Sequence, residues 1–137
     1  MILVDTSVWV EYLRDRDRES PVADWLDRAI LQGETPCTCG VVLTEVLQGV
    51  RGQAEHRRVK RTLDRLPYVA ASREAYVLAA DLYRAARKRG KTIRNTVDCI
   101  IAACAIVNDV ALAQRDRDFE TIAEVSDLRL IDMPSVT

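Results

Sequence analysis

Four acidic residues in this sequence have the positions expected of a shared metal site. Asp5 directly follows the apolar run Ile2–Val4, and Asp98 lies in the first turn of a predicted helix. Asp116 follows a second short apolar run. Because ligands collect at the carboxyl ends of parallel strands, we expect these three carboxylates at one edge of a sheet. Glu45 lies inside a strongly apolar helix, where a charge is costly unless it faces a partner or a metal.

Each acid alone has an ordinary explanation, as a turn, loop, surface or helix-dipole residue. The set is harder to explain in this way, because neighbouring carboxylates repel and raise one another's pKa unless a cation compensates them. Carboxylate oxygens suit Mg²⁺, with Mn²⁺ as a substitute. Zinc is disfavoured, since there is no CxxC pair and His56 is the only histidine. The predicted chemistry is phosphodiester hydrolysis by metal-activated water.

Alternating strands and helices must position these acids. Short apolar segments predict five strands, and amphipathic segments between them predict helices. This order is typical of an α/β fold with a parallel sheet covered on both faces. Predicted N-caps are Thr6 or Ser7 for the first helix, Ser20 for the second and Thr96 for the helix that carries Asp98. The five predicted strands are 2–4, 36–38, 68–70, 110–113 and 128–131.

Length and composition favour one compact domain spanning residues 1–137. The longest apolar run, 99–107, is far shorter than the roughly 20 residues of a membrane span, so we expect no membrane contact and a cytoplasmic location. The four cysteines are expected to be reduced and partly buried.

The net charge of −1 predicts no global attraction to nucleic acid, but basic residues cluster locally at 57–65 and 84–94. Either cluster alone is typical of a solvated helix face. Arg94, four residues before Asp98, is a candidate contact for an RNA phosphate, although an ordinary loop arginine explains it as well.

The sequence resembles the PIN-domain ribonucleases and, among them, the VapC-type toxins of toxin-antitoxin pairs. The segments that carry the resemblance span nearly the whole chain and are specific in combination. They are ILVDTS at 2–7, EVLQG at 45–49, DCIIAACA at 98–105 and QRDRDF at 114–119.

This resemblance implies a three-layer α/β/α fold with a central five-stranded, mostly parallel sheet. It also implies magnesium-dependent endonucleolytic cleavage of RNA, a homodimer and a cognate VapB-like antitoxin. The residues that match the family's acidic positions are Asp5, Glu45, Asp98 and Asp116.

Three further positions bear on this match. Thr6 matches a hydroxyl position that orients Asp5 or a metal-bound water. Gln114 stands where the pattern often has a small hydroxyl residue, which leaves the contacts to Asp116 open. Asp118 competes with Asp116 for the fourth acidic role, and we favour Asp116 because it lies nearer the strand end.

Other classes of protein fit less well. A phosphoaspartyl enzyme of the haloacid-dehalogenase type needs a second acid two residues after the first, where Ser7 stands. A response-regulator receiver needs adjacent acids after the first strand. A non-catalytic RNA- or protein-binding module with the same fold is the remaining alternative, and the intact acids argue against it.

Overall fold

A parallel sheet of three short strands lies at the centre of the computed structural model, which describes residues 1–14 and 19–134. The central strand β1 (Ile2–Val4) is flanked by β2 (Pro36–Cys37) and β3 (Ala111–Ala113). Nearly all residues of the strands are buried, as expected when helices cover both faces of a parallel sheet. The predicted α/β class is therefore confirmed.

The helices of the described residues form two groups. In one group α1 packs on α2 and α3, and in the other α6 and α7 pack on α5 and on each other. Contacts between α3 and α6 join the groups. The helices are α1 (Thr6–Arg14), α2 (Pro21–Leu31), α3 (Gly40–Gln48), α4 (Gln53–Asp64), α5 (Arg73–Lys88), α6 (Thr96–Val107) and α7 (Arg117–Glu124).

The expectation of a five-stranded sheet is wrong for the described residues. The predicted strands 68–70 and 128–131 are each reduced to one parallel bridge, Tyr68 with Thr38 and Leu130 with Leu112. The reason is the shortness of their neighbours, since β2 has two residues before Cys39 becomes the N-cap of α3. The outer segments lie beside the sheet in the predicted places, but with too little backbone opposite them to form a ladder.

Helix α6 is central, as its nearly continuous apolar sequence predicts. Its buried residues are mostly small, including Ala102, Ala103 and Ala105, which are fully buried. Small side chains allow the buried face of α5, with Ala79 and Ala86, to pack closely against α6. This packing fixes the helix whose first turn carries Asp98.

The helix caps agree with the sequence prediction in one case and differ in two. Ser20 caps α2 as predicted, accepting from the backbone N–H groups of its first turn. The cap of α1 is Asp5, whose carboxylate accepts from the Ser7 N–H, so neither Thr6 nor Ser7 is the N-cap. The cap of α6 is Asn95, whose side chain accepts from Val97 N at 3.0 Å, and Thr96 is instead the first helical residue.

The four cysteines are unpaired thiols and all are buried, more completely than the sequence prediction of partial burial. Among the described helices, none is long and apolar enough to cross a membrane.

Candidate metal and active site

One pocket of about 320 Å³ brings all four predicted acids together with Asp118. Asp5 and Asp116 follow β1 and β3, and the Asp5 N–H donates to the Ala113 carbonyl at 2.9 Å, which ties the two strand ends together. Asp98 comes from the first turn of α6 and Glu45 from the middle of α3. The residues lining the pocket are Asp5, Thr6, Ser7, Glu45, Arg94, Asn95, Asp98, Asp116 and Asp118.

Asp5 is held rigidly at the end of β1. Its side chain is buried, and Oδ2 accepts from both the backbone N–H and the hydroxyl of Ser7. Burial raises the pKa of Asp5, the contacts with Ser7 and Thr6 oppose that shift, and the charge of Glu45 adds to it.

Ser7 is a site residue that the sequence prediction missed. Its hydroxyl donates to Asp5 Oδ2 and accepts from the backbone N–H of Arg115 at 3.0 Å, so it links the end of β1 to the segment after β3. A hydroxyl two residues after an aspartate at a helix start was the available signal, because such residues form local side-chain to backbone turns.

Glu45 is oriented by Thr6. The Thr6 hydroxyl donates to Glu45 Oε1 at 3.0 Å, across 39 residues of sequence. The threonine that was expected to orient Asp5 or a water therefore contacts the neighbouring acid instead. Glu45 is only partly buried and lines the pocket, and this exposure together with the contact from Thr6 explains how a charge is tolerated within an apolar helix.

Asp98 is the most perturbed of the acids. It is only 8% exposed, and no hydrogen bond to its carboxylate occurs within residues 1–14 and 19–134. Burial first, and then the charges of the neighbouring acids, raise the pKa of Asp98 to about 7. A buried carboxylate of this kind is stabilised in its charged form by a cation.

Asp116 and Asp118 both line the pocket. Asp116 caps α7 through Oδ1, which accepts from Asp118 N at 2.9 Å. The Gln114 side chain accepts from the backbone N–H of Asp116 and so fixes the backbone that carries this acid. Gln114 thus supplies the supporting contact that its departure from the family pattern had left open.

Arg94 lies across these two acids. Its Nη2 donates to Asp116 Oδ1 at 3.0 Å, and its Nε donates to Asp118 Oδ2 at 3.3 Å. The backbone N–H of Arg94 also donates to Asp118 Oδ2, at 3.1 Å. The contacts with Asp118, and then those with Asp116, raise the pKa of the Arg94 guanidinium above its ordinary value.

The pocket fits a divalent cation. Ligand oxygens of Asp98, Asp116 and Asp118 lie within 4.8 Å of one another. Around an octahedral Mg²⁺, oxygens in adjacent positions are roughly 3 Å apart and those in opposite positions roughly 4.2 Å apart, so the three side chains would have to move closer together to bind one cation. The donors are all carboxylates, which Mg²⁺ and Mn²⁺ prefer over softer ligands.

The fold and the site together define an α/β protein with an acidic pocket near the carboxyl ends of its first and third strands. The model of the PIN domain family matches residues 2–125. Ribonuclease VapC11 of Mycobacterium tuberculosis is 36% identical over 132 residues, covering 94% of this chain and 96% of that protein. The chain therefore belongs to the PIN domain family, which confirms the resemblance seen in the sequence.

Solved structures agree with the fold. The structure of FitAB bound to a DNA fragment contains a chain that is 26% identical, with a TM-score of 0.75 over 96% of this chain and 94% of that one. VapBC2 from Rickettsia felis bound to a promoter DNA fragment is 19% identical, with a TM-score of 0.74 and coverages of 96% and 98%. The second of these likenesses shows the fold alone.

Proposed function

We propose that this protein is a magnesium-dependent endoribonuclease and the toxin of a toxin-antitoxin pair. The observation that carries the proposal is the pocket of five carboxylates in which buried Asp98 meets no hydrogen-bond donor from the described residues. The relative at 36% identity is named a ribonuclease, which supports RNA as the substrate.

The residues divide into metal ligands and supports. Asp98, Asp116 and Asp118 are the proposed ligands of one cation, with Asp5 and Glu45 beside them for a second cation or for the attacking water. When bound, the metal would lower the pKa of a water and stabilise the charge that develops on the phosphate.

The supports act through hydrogen bonds. Ser7 holds Asp5 and Thr6 holds Glu45, each by way of a single carboxylate oxygen. Fixing one oxygen of each acid leaves the other available to the pocket, and such outer contacts set the orientation and basicity of metal ligands.

Removal of the metal tests the enzymatic part of the proposal. Purified protein is expected to cleave RNA with Mg²⁺ or Mn²⁺, to lose activity in EDTA and to regain it when the cation is restored in excess. Cleavage that continues unchanged in EDTA would exclude a metal-dependent mechanism. A chain that binds RNA under all conditions without cutting it would support the binding-module alternative.

The toxin part of the proposal rests on the resemblance of the sequence to VapC-type toxins and on the relative at 36% identity, which is named ribonuclease VapC11. Expression of the chain alone is expected to arrest growth, and co-expression of a VapB-like antitoxin encoded beside it should relieve the arrest. Harmless expression of a demonstrably active nuclease would refute the toxin role and leave the nuclease role intact. The homodimer stays a prediction, which sedimentation would test.

A further inference from the structure

The guanidinium of Arg94 already compensates part of the negative charge of the pocket. It reaches Asp116 Oδ1 through Nη2 and Asp118 Oδ2 through Nε, at 3.0 and 3.3 Å. These two aspartates are also two of the three acids whose oxygens lie within 4.8 Å of one another. The positive charge of Arg94 therefore lies on the same carboxylates that are proposed to hold the metal.

A divalent cation and this guanidinium compensate the negative charge of the same two carboxylates, Asp116 and Asp118. Asp116 Oδ1 accepts from Asp118 N as well as from Arg94, and Asp118 Oδ2 accepts twice from Arg94, so both oxygens are occupied by donors. A cation bound between the acids would also repel the guanidinium. The Arg94 side chain is 72% exposed, so it can leave for water at little cost.

The backbone keeps the arginine at the pocket after such a displacement. Arg94 N donates to Asp118 independently of the side chain, at 3.1 Å. Ile93, immediately before it, is buried and anchors the segment in the core. A displaced guanidinium thus stays at the mouth of the pocket, where its planar donors suit a phosphate.

We propose that Arg94 is a built-in counter-cation: it holds Asp116 and Asp118 while no metal is bound, and metal binding releases its guanidinium toward the RNA phosphate. This inference rests on the proposed function, because it assumes a cation at these acids. It assigns Arg94 a positioning role that sets metal affinity, in addition to the phosphate contact expected from the sequence.

Metal binding without turnover tests this role. Binding of Mn²⁺ alone is measured by electron paramagnetic resonance, at low ionic strength, for wild type, Arg94→Ala and Lys91→Ala. Lys91 is the matched control, because it pairs with Glu124 at 2.8 Å outside the pocket and its loss changes net charge equally. Arg94→Ala is expected to bind Mn²⁺ about two- to fivefold more tightly than Lys91→Ala, the range that an exposed ion pair allows.

The outcomes separate the inference from the function on which it rests. Equal Mn²⁺ affinities in Arg94→Ala and Lys91→Ala, or weaker binding in Arg94→Ala, would overturn the counter-cation role while leaving a metal site intact. Absence of a stoichiometric Mn²⁺ site in the wild type would overturn the proposed function, and the inference with it.

The wild-type protein allows a direct check of the displacement. The ¹⁵Nε–H resonance of Arg94, assigned by its loss in Arg94→Lys, reports the hydrogen bond to Asp118. Titration with diamagnetic Mg²⁺ is expected to shift this resonance and to speed its exchange with water. A resonance that does not change while Mg²⁺ saturates the site would overturn the proposed displacement.

Discussion

The carboxylates of the pocket differ in the number of protein donors that each one meets. Asp5 accepts from Ser7, Glu45 from Thr6, and both Asp116 and Asp118 from Arg94. Asp98 lies buried among them, and within the described residues no donor reaches it. Burial and the neighbouring charges therefore make the ionised form of Asp98 unfavourable unless a cation is bound. Without a cation, the carboxylate binds a proton more readily than usual.

Asp98 should therefore make the metal-free protein more stable at low pH. Its folded pKa of about 7 lies above its ordinary value of about 3.9, so the folded state holds the proton more tightly. The resulting stability is fully present below about pH 4 and is lost as the pH rises through about 7, by up to about 4 kcal/mol.

Urea unfolding in EDTA at pH 5 and pH 8 measures this effect. Asp98→Asn should be more stable than wild type at pH 8, with a difference that shrinks toward pH 5. A difference that is the same at both values would show that Asp98 does not titrate in this range.

Ser7 is expected to affect both stability and metal binding. Ser7→Ala removes the hydroxyl between Asp5 and Arg115 N, which should cost about 1–2 kcal/mol in unfolding free energy and weaken Mn²⁺ binding. Ser126→Ala is a matched control, because that hydroxyl also makes two hydrogen bonds, both with backbone groups, but lies outside the pocket. If both variants bind Mn²⁺ as wild type does, Ser7 has only a structural role.

At the scale of elements, the sequence predicted which segments form helices better than it predicted strand pairing. Helix α2 follows from Ser20, Pro21 and the apolar spacing after them, all of which are local signals. Strand length depends instead on what lies opposite in the sheet. The segment at Tyr68 has the expected place, but its partner is only Thr38, the residue that follows the two-residue strand β2.

The cap of α6 gives a prediction at this scale. Asn95→Ala removes the acceptor for Val97 N and should lower the unfolding free energy by about 1 kcal/mol. Thr96→Ala changes the adjacent exposed residue without touching the cap, so it should have a much smaller effect. The two variants are compared by urea unfolding. A larger loss of unfolding free energy in Thr96→Ala than in Asn95→Ala would show that Thr96 is the N-cap.

For the molecule as a whole, the positions of the acids were predictable because topology sets them. Asp5 directly follows β1 and Asp116 lies three residues after β3, and these neighbouring parallel strands place their carboxyl ends together. The contacts that orient the acids were not predictable, since those of Ser7, Gln114 and Arg94 depend on side-chain geometry across the fold. The sequence thus predicted which acids line the pocket. The structure added the hydrogen bonds of Ser7 and Gln114 and the ion pairs of Arg94.

The most direct test of the central claim is the rate of RNA cleavage at pH 8 with saturating Mg²⁺. We predict that Asp98→Asn cleaves at least about a hundredfold more slowly than wild type, because loss of a ligand exceeds the effect of losing an outer contact. Asp81→Asn, which changes an exposed acid on α5 outside the pocket, should cleave at the wild-type rate. Equal rates for Asp98→Asn and Asp81→Asn would contradict the assignment of this pocket as the active site.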